Sequence, residues 1–493
     1  MMMLVLVGGI IAEILLTRLR ILWNYRRFLV VVPLVAVSVW LGFALIEPKV
    51  GLWWLLGLIA LFRILNMLKM NKPDIHPDYQ WRTARRTSLV LGLATLLVVG
   101  AHEAVMNVAG TTLLTALAAA QVIAALLLLA FTAKNLQKTK HHATNHHFTD
   151  KELPTVTVAI PARNETNDLA SCIRSVLAND YPKLEVLVLD DCSQDRTAEV
   201  IRDFAHDGVR FIQGDPPADR WLAKNQAYET LASHASGEIV LFCGVDVRFG
   251  PRAIRALVTT MKDKKRDMMS VLPFRIGGGV DTSLVQPLRY WWELALPRRT
   301  FNRPPVLSTC WLISRKELNE AGRFKGVSHN ILPERFFARV MVKSDGYAFI
   351  RADEQLEVNT VKPIEEQLKT AVRIKYPSLR KRPENVLFLL FIETLLLLGP
   401  LVLTVSWLWS GPTTATILAA LATILLVATH YAIMSASHPL HSTVALFNLP
   451  VAILTEIGLT LTSMVKYEFG KVQWKGRNIC IPAMHVIKRL PKA

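Results

Sequence analysis

Two apolar runs that end in aspartate are the part of this chain best equipped for chemistry. Residues 184–189 stop at Asp190-Asp191-Cys192-Ser193-Gln194-Asp195, and residues 238–243 stop at Gly244-Val245-Asp246-Val247. In an open α/β sheet, ligands bind beyond the carboxyl ends of the strands. Carboxylates placed there can accept hydrogen bonds from a nucleoside base and from sugar hydroxyls, and they can hold a divalent ion. The elements that must position them are legible around both runs. Strands are expected over 155–160, 184–189, 209–212 and 238–243, and helices over 168–177, 197–204 and 223–232. Strands alternating with amphipathic helices indicate a mainly parallel sheet covered on both faces.

This α/β block sits between stretches of a different kind. The chain has 493 residues, 52% of them hydrophobic, and its mean hydropathy of +0.31 is too high for a wholly soluble protein. Segments 1–16, 28–46, 51–70, 88–110 and 111–133 read as spans, as do 385–407, 413–434 and 443–464. A span needs about 20 mostly apolar residues, so the first is short. The first segment lacks the basic start and the small-residue cleavage site of a secretory signal. Arg18, Arg20, Arg26 and Arg27, then the loop 69–86, then Lys134, Lys138 and Lys140 mark alternate loops as cytoplasmic. The α/β block therefore falls in the cytoplasm. Three further spans would carry the basic tail (Lys466, Lys471, Lys475, Arg477, Lys488, Arg489 and Lys492) outside. The favoured reading is that one of the last three segments does not cross, with Pro450 marking a broken or re-entrant helix. The expected domains are a membrane region at 1–133, a basic His-rich linker at 134–153, the α/β domain at 154–383, a second membrane region at 384–464 and a basic tail at 465–493.

The net charge of +18 is concentrated in short loops beside spans, where it sets topology and meets anionic lipid. No nucleic-acid motif accompanies it, so nucleic acid is not an expected partner. Cys172, Cys192, Cys243, Cys310 and Cys480 are scattered; they form no metal spacing and no disulfide framework. The linker histidines His141, His142, His146 and His147 read as part of a solvated connector. Residues 284–299, with Tyr290-Trp291-Trp292 among Arg289, Arg298 and Arg299, read as an interfacial amphipathic helix. A core helix is the alternative.

The turn Pro161-Ala162-Arg163-Asn164-Glu165, the run Asp190-Asp191-Cys192-Ser193-Gln194-Asp195-Arg196-Thr197 and Gly237-Glu238 leading to Asp246 resemble, in order and spacing, glycosyltransferase family 2. The similarity covers about 154–381. Trp221-Leu222-Ala223-Lys224 and the tail Val472-Gln473-Trp474-Lys475-Gly476-Arg477 are similar to the membrane-bound branch that glycosylates lipids such as ceramide and hopanoids. The resemblance implies a GT-A fold (a Rossmann-like mixed sheet), a nucleotide-sugar donor of the uridine type and a membrane-lipid acceptor. It places Pro161, Arg163, Glu165, Asp190, Asp191, Lys224 and Asp246 at the donor, with Asp195 mostly structural. Asp246 would hold Mg²⁺ or Mn²⁺, and Trp311, Arg373 and Lys375 would meet the acceptor or the diphosphate.

The chain departs from that pattern twice. Gly244 replaces the first aspartate of the metal motif, leaving one carboxylate. Magnesium often uses only one or two protein carboxylates, so weak metal binding before the donor arrives is the expected consequence. In the family, a Glu-Asp pair opening a helix supplies the catalytic base; here Pro333-Glu334 stands in its place, so the base becomes Glu334. Proline suits a first helical turn. The Gln-x-x-Arg-Trp motif of polymer-forming members is absent, which favours addition of a single sugar. The competing readings are a processive polysaccharide synthase and a membrane protein that binds a nucleotide-sugar without catalysis.

Overall fold

In the computed structural model, the described residues are 110–141, 148–277, 286–296 and 304–480. Four of the expected amino-terminal spans lie outside them. Within them, helix α1 (Gly110–Thr139) leads into β1 (Val156–Ala162), α2 (Leu169–Leu177), β2 (Leu184–Asp190), α3 (Thr197–Asp203), β3 (Val209–Gln213), α4 (Ala223–His234) and β4 (Ile239–Cys243). Then follow β5 (Val247–Phe249), α5 (Ala253–Asp263), β6 (Met268–Leu272), β7 (Phe274–Arg275), α6 (Gln286–Leu294), β8 (Cys310–Ser314), α7 (Arg315–Glu320), α8 (Glu334–Lys343), β9 (Tyr347–Arg351) and β10 (Val358–Thr360).

The main sheet has the order β3-β2-β1-β4-β8-β6-β9. Its first four strands are parallel neighbours, whereas β8 runs antiparallel to both β4 and β6. Successive side chains of a strand point to opposite faces, and the cores follow that rule. Val156, Val158 and Ile160 join one hydrophobic cluster with α2, while Ala159, Leu187 and Phe242 join another with α4 and α8. All five residues of β4 are buried, as a central strand covered on both faces requires. Helix α2 buries Leu169, Cys172, Ile173 and Val176, an i, i+3, i+4, i+7 stripe. Strand β1 runs two residues further than the sequence indicates, through Pro161, which pairs opposite Leu189. Proline's fixed φ is compatible with extended backbone, so the ladder register persists past it.

Beyond the sheet come α9 (Ile364–Ser378), α10 (Pro383–Glu393), a π-helical turn (Thr394–Leu398), α11 (Gly399–Ser410), α12 (Thr414–Ser437) and α13 (Ala445–Glu468). Among the described residues, four stretches are long and apolar enough to cross a membrane: Leu113–Thr139, Pro383–Ser410, Thr414–Ser437 and Pro439–Glu468. Pro450 does not break its helix. It lies on an exposed side of the continuous α13, and the non-helical residue is His441, upstream.

Both ends of α13 stay tied to the same neighbourhood. Near its start, Asn448 bonds His430 of α12 (3.0 Å), which in turn accepts from Trp291 of α6 (3.1 Å). Near its end, Tyr467 donates to the Arg373 carbonyl of α9, and Tyr376 of α9 donates to Glu468, each at 2.6 Å. The chain then forms a hairpin of β11 (Gln473–Trp474) and β12 (Arg477–Asn478). Lys475 and Gly476 adopt φ of 47° and 80°, the left-handed pair that a two-residue hairpin loop demands.

Two expectations change here. His141 is buried, not solvated: it bonds Asp353 (3.0 Å) and Thr260 (3.2 Å), tying the end of α1 to the α/β domain. His142, His146 and His147 lie outside the described residues. Tyr290 and Trp291 of α6 are buried as well, so this face of the helix is core between the domain and α12.

Candidate active site

The register of β1 against β2 sets Ala162 opposite Asp190, so Arg163 and Asp191 leave the carboxyl edge of the sheet side by side. The Asp191 amide donates to the Ala162 carbonyl (2.8 Å). Arg163 Nη1 donates to the carbonyls of Asp191 (2.5 Å) and Cys192 (2.6 Å), bracing the turn. Asp190 accepts from the Ser193 amide and from Gln213. Asp195 accepts from Thr166 and Thr197. Against the upward push of burial, those bonds hold its carboxyl down to about 2, in keeping with a structural role.

The carboxyl-terminal hairpin seats on this edge. Arg477 Nη1 lies 2.7 Å from both Asp191 carboxylate oxygens. Lys475 Nζ pairs with Glu165 at 2.9 Å, and Arg163 Nε donates to the Lys475 carbonyl at 3.1 Å. Burial raises the Asp191 and Glu165 carboxyls, with Arg477 and Lys475 opposing the shift. Three residues expected at the donor are thus in contact with the tail. In the sequence that tail stood out only as a family-like run of residues.

Asp246 lies beyond β4, its carbonyl accepting from the Val361 amide (3.0 Å) and its carboxylate 3.8 Å from Lys362 Nζ. A Cβ at 244 would fall 2.5 Å from Asp246 Oδ1, so a side chain there requires the Asp246 carboxylate to turn. Among the described residues, no three His, Cys, Asp or Glu side chains cluster as a metal site. One carboxylate fits a magnesium-type ion whose other ligands are substrate phosphates and water; it does not fit a preformed cage. Lys362 is a counter-charge such an ion would have to displace.

Two further cations, Lys224 and Arg373, line an open cavity with Asn225, Ser308, Leu332 and Trp474. Loss of hydration pushes the Lys224 ammonium down to about 8; Arg373 and Lys362 push the same way, and Glu334 and Asp246 oppose. Lys224 is therefore charged below pH 8 and neutral above. If it contacts the donor diphosphate, kcat/KM should fall as pH rises through about 8, and Lys224→Arg should move that limb upward by more than two pH units, because arginine stays protonated. A pH profile of both proteins checks this; an unmoved limb removes Lys224 from the assignment. Arg373 and Lys375, expected together, are separated. Residues i and i+2 do not share a helix face, and Lys375 instead pairs with Glu456 of α13. Lys375 lines a second, partly open cavity between α8, α9, α10 and α13. Leu332 and Ile374 line both cavities.

Glu334 opens α8 directly after Pro333, whose φ of −64° continues into the helix. It is wholly buried, and neither carboxylate oxygen has a hydrogen-bond partner. Buried polar groups are almost always paired, so this carboxylate calls for an explanation. Trp311 is placed differently from the expectation of an acceptor or diphosphate contact. It is fully buried in β8, stacked on Phe242 at 4.5 Å and beside Phe337 at 6.0 Å.

The site thus combines a mixed sheet, aspartates at its carboxyl edge and cations beside them. Residues 157–322 match the family model described as Glycosyl transferase family 2. The chain is 31% identical over 123 residues to 4,4'-diaponeurosporenoate glycosyltransferase of Staphylococcus haemolyticus, covering 24% of this chain and 32% of that protein. It is 32% identical over 133 residues to Glycosyltransferase AglE of Haloferax volcanii, covering 26% and 40%. The chain thus spans well under half the length of these relatives. The mannosyltransferase PcManGT from Pyrobaculum calidifontis, solved with GDP-Man and Mn²⁺, superimposes at a TM-score of 0.43 and 18% identity over 72% of this chain and 98% of that one. TarS of S. aureus in complex with UDP gives 0.31 and 13%, over 64% and 92%.

Proposed function

We propose that this chain is a membrane-embedded, inverting glycosyltransferase that moves one sugar from a nucleotide-sugar, of the uridine type, to a membrane lipid. The observation that carries the reading is Glu334: a wholly buried carboxylate without a partner, two residues beyond Leu332, which lines both cavities; in this reading it becomes open to the acceptor hydroxyl when the substrates bind. In the proposed reaction the acceptor oxygen bonds to the anomeric carbon as the bond from that carbon to the diphosphate breaks. The leaving diphosphate keeps the electron pair, and the hydroxyl proton passes to Glu334. Asp190 and Asp191 orient the nucleoside, while Lys224 and Arg373 meet the developing charge on the diphosphate. A Mg²⁺ or Mn²⁺ ion held by Asp246 would add positive charge there when bound.

The second cavity, between the domain and α9, α10 and α13, is assigned to the acceptor. The placement of α13 supports the expected topology: its end bonds α9 of the domain and its start reaches α6 through His430 of α12, so we assign it to the membrane surface. The tail then lies on the domain's side, the cytoplasmic one by the charge of the loops. The proposed boundaries remain 134–153 for the linker, 154–383 for the catalytic domain, 384–464 for the second membrane region and 465–493 for the tail.

The test is transfer from radiolabelled nucleotide-sugars into lipid extract by the purified full-length protein. A single-sugar glycolipid is expected; polymer would identify a synthase instead, and nucleotide-sugar binding without transfer a non-catalytic protein. The metal assignment is checked alongside. Chelator should abolish transfer, and the isolated protein should retain no stoichiometric metal until nucleotide is added. Full activity in chelator would remove Asp246 from metal binding.

A further inference from the structure

The side chain expected to hold the nucleoside base is already engaged. Asp191 is 5% exposed beneath Arg477, which is 19% exposed. The guanidinium spans both carboxylate oxygens at 2.7 Å and reaches the Asp191 carbonyl with Nη2 at 3.3 Å. The hairpin that delivers it is short, two residues in each strand, and an isolated two-stranded hairpin is marginal in water. Two sets of contacts hold it down: at the donor edge, Lys475 Nζ on Glu165 (2.9 Å) and on the Asn164 carbonyl (3.3 Å) and Arg163 Nε on the Lys475 carbonyl (3.1 Å), and on its other side Val472, Trp474 and Ile479 packed with Leu222, Tyr376 and Tyr467. Asp190 is held separately by Ser193 and Gln213, so release of Arg477 leaves its neighbour in place.

We propose that Arg477 is a base mimic: it occupies the accepting face of Asp191 until a nucleoside with a ring N–H takes its place, so donor binding releases the hairpin. The inference rests on the reading of Asp191 as a nucleoside ligand. It adds a selection rule, because the exchange replaces one N–H donor by another. Uracil and guanine carry a ring N–H on the edge that pairs with a carboxylate. Adenine and cytosine present a ring nitrogen acceptor there beside an exocyclic amine, so a carboxylate that accepts from the amine is set against the ring lone pair. Only the first two can replace Arg477 without that repulsion.

The experiment is hydrogen exchange on the full-length protein, reading peptides across 472–480 with UDP, GDP, ADP or CDP, together with calorimetric binding to wild type and Arg477→Ala. A closed latch lowers apparent affinity by the fraction of molecules that are open. Removing Arg477 should therefore tighten binding of UDP or GDP by roughly tenfold. In the wild type, that nucleotide should increase exchange in the hairpin, and ADP and CDP should not. Weaker binding by Arg477→Ala, or a hairpin that becomes more protected when nucleotide binds, would show that Arg477 is itself a donor ligand and overturn the proposal. The wild-type exchange result stands even if the variant folds poorly. If UDP or GDP binds and the hairpin is unmoved, the latch alone fails; if none of the four nucleotides binds, the reading of the donor site fails with it.

Discussion

Glu334→Gln should lower sugar transfer by about 10²–10⁴-fold, the range typical of a lost general base, while nucleotide-sugar binding stays within a few-fold of wild type. Glutamine keeps the size of the side chain and most of its shape but cannot take a proton at near-neutral pH. The other carboxylates of the site are already paired. Glu293 and Glu456, which line the second cavity, meet Arg335 and Lys375; Asp246 is beside Lys362, and Glu165, Asp190 and Asp191 are held at the donor edge. The substitution also separates catalysis from folding. Both Glu334 oxygens are buried without partners, so a neutral amide should leave the fold intact or slightly more stable. Steady-state transfer, calorimetric donor binding and thermal unfolding together decide the matter. Loss of donor binding in parallel with transfer would make Glu334 a structural or donor residue, and retained transfer would end its candidacy as base.

The parts of this site that the sequence exposes are those written locally. Strands β1, β2 and β4 are short, mostly apolar runs; Asp190 closes β2, Asp191 follows it, and Asp246 lies three residues beyond β4. Glu334 is legible because it opens a helix behind a proline. Lys362 is not, for a physical reason: it reaches Asp246 only because β10 pairs antiparallel to β5, with Thr360 opposite Val247. Those strands are three residues each, too short for a periodic pattern. The contact between Arg477 and Asp191 joins residues 286 apart, and nothing near either one signals it. Trp311 shows the opposite error. A tryptophan beside family motifs invites a role at the substrate, yet it belongs to an aromatic core with Phe242, Phe324 and Phe337. The continuous apolar run that buries it is visible in β8, but its ring partners come from distant parts of the chain.

Restoring the family's missing carboxylate should damage the site. Gly244→Asp supplies the first aspartate of the metal motif, so sequence comparison alone would forecast equal or better metal binding. The backbone at 244 gives the opposite expectation. A Cβ there meets Asp246 Oδ1 at 2.5 Å, closer than real Cβ atoms come to a neighbour, and the turn is pinned by the Gly244 amide on the Thr309 carbonyl (3.0 Å) and the Val247 amide on the Gly244 carbonyl (3.1 Å). With the backbone fixed, the Asp246 carboxylate must swing away from the cavity it shares electrostatically with Lys224. Displacing a catalytic group by about 1 Å can cost on the order of 10²-fold, and a loss of that size in kcat/KM is expected for both Gly244→Asp and Gly244→Ala. The alanine variant is the control for charge: it adds the Cβ without a carboxylate, so equal losses assign the effect to the collision. If Gly244→Asp gained activity, or held Mg²⁺ or Mn²⁺ more tightly than the wild type, Asp246 would be free to move. The glycine would then be a tolerated loss and no longer a fitted part of the turn.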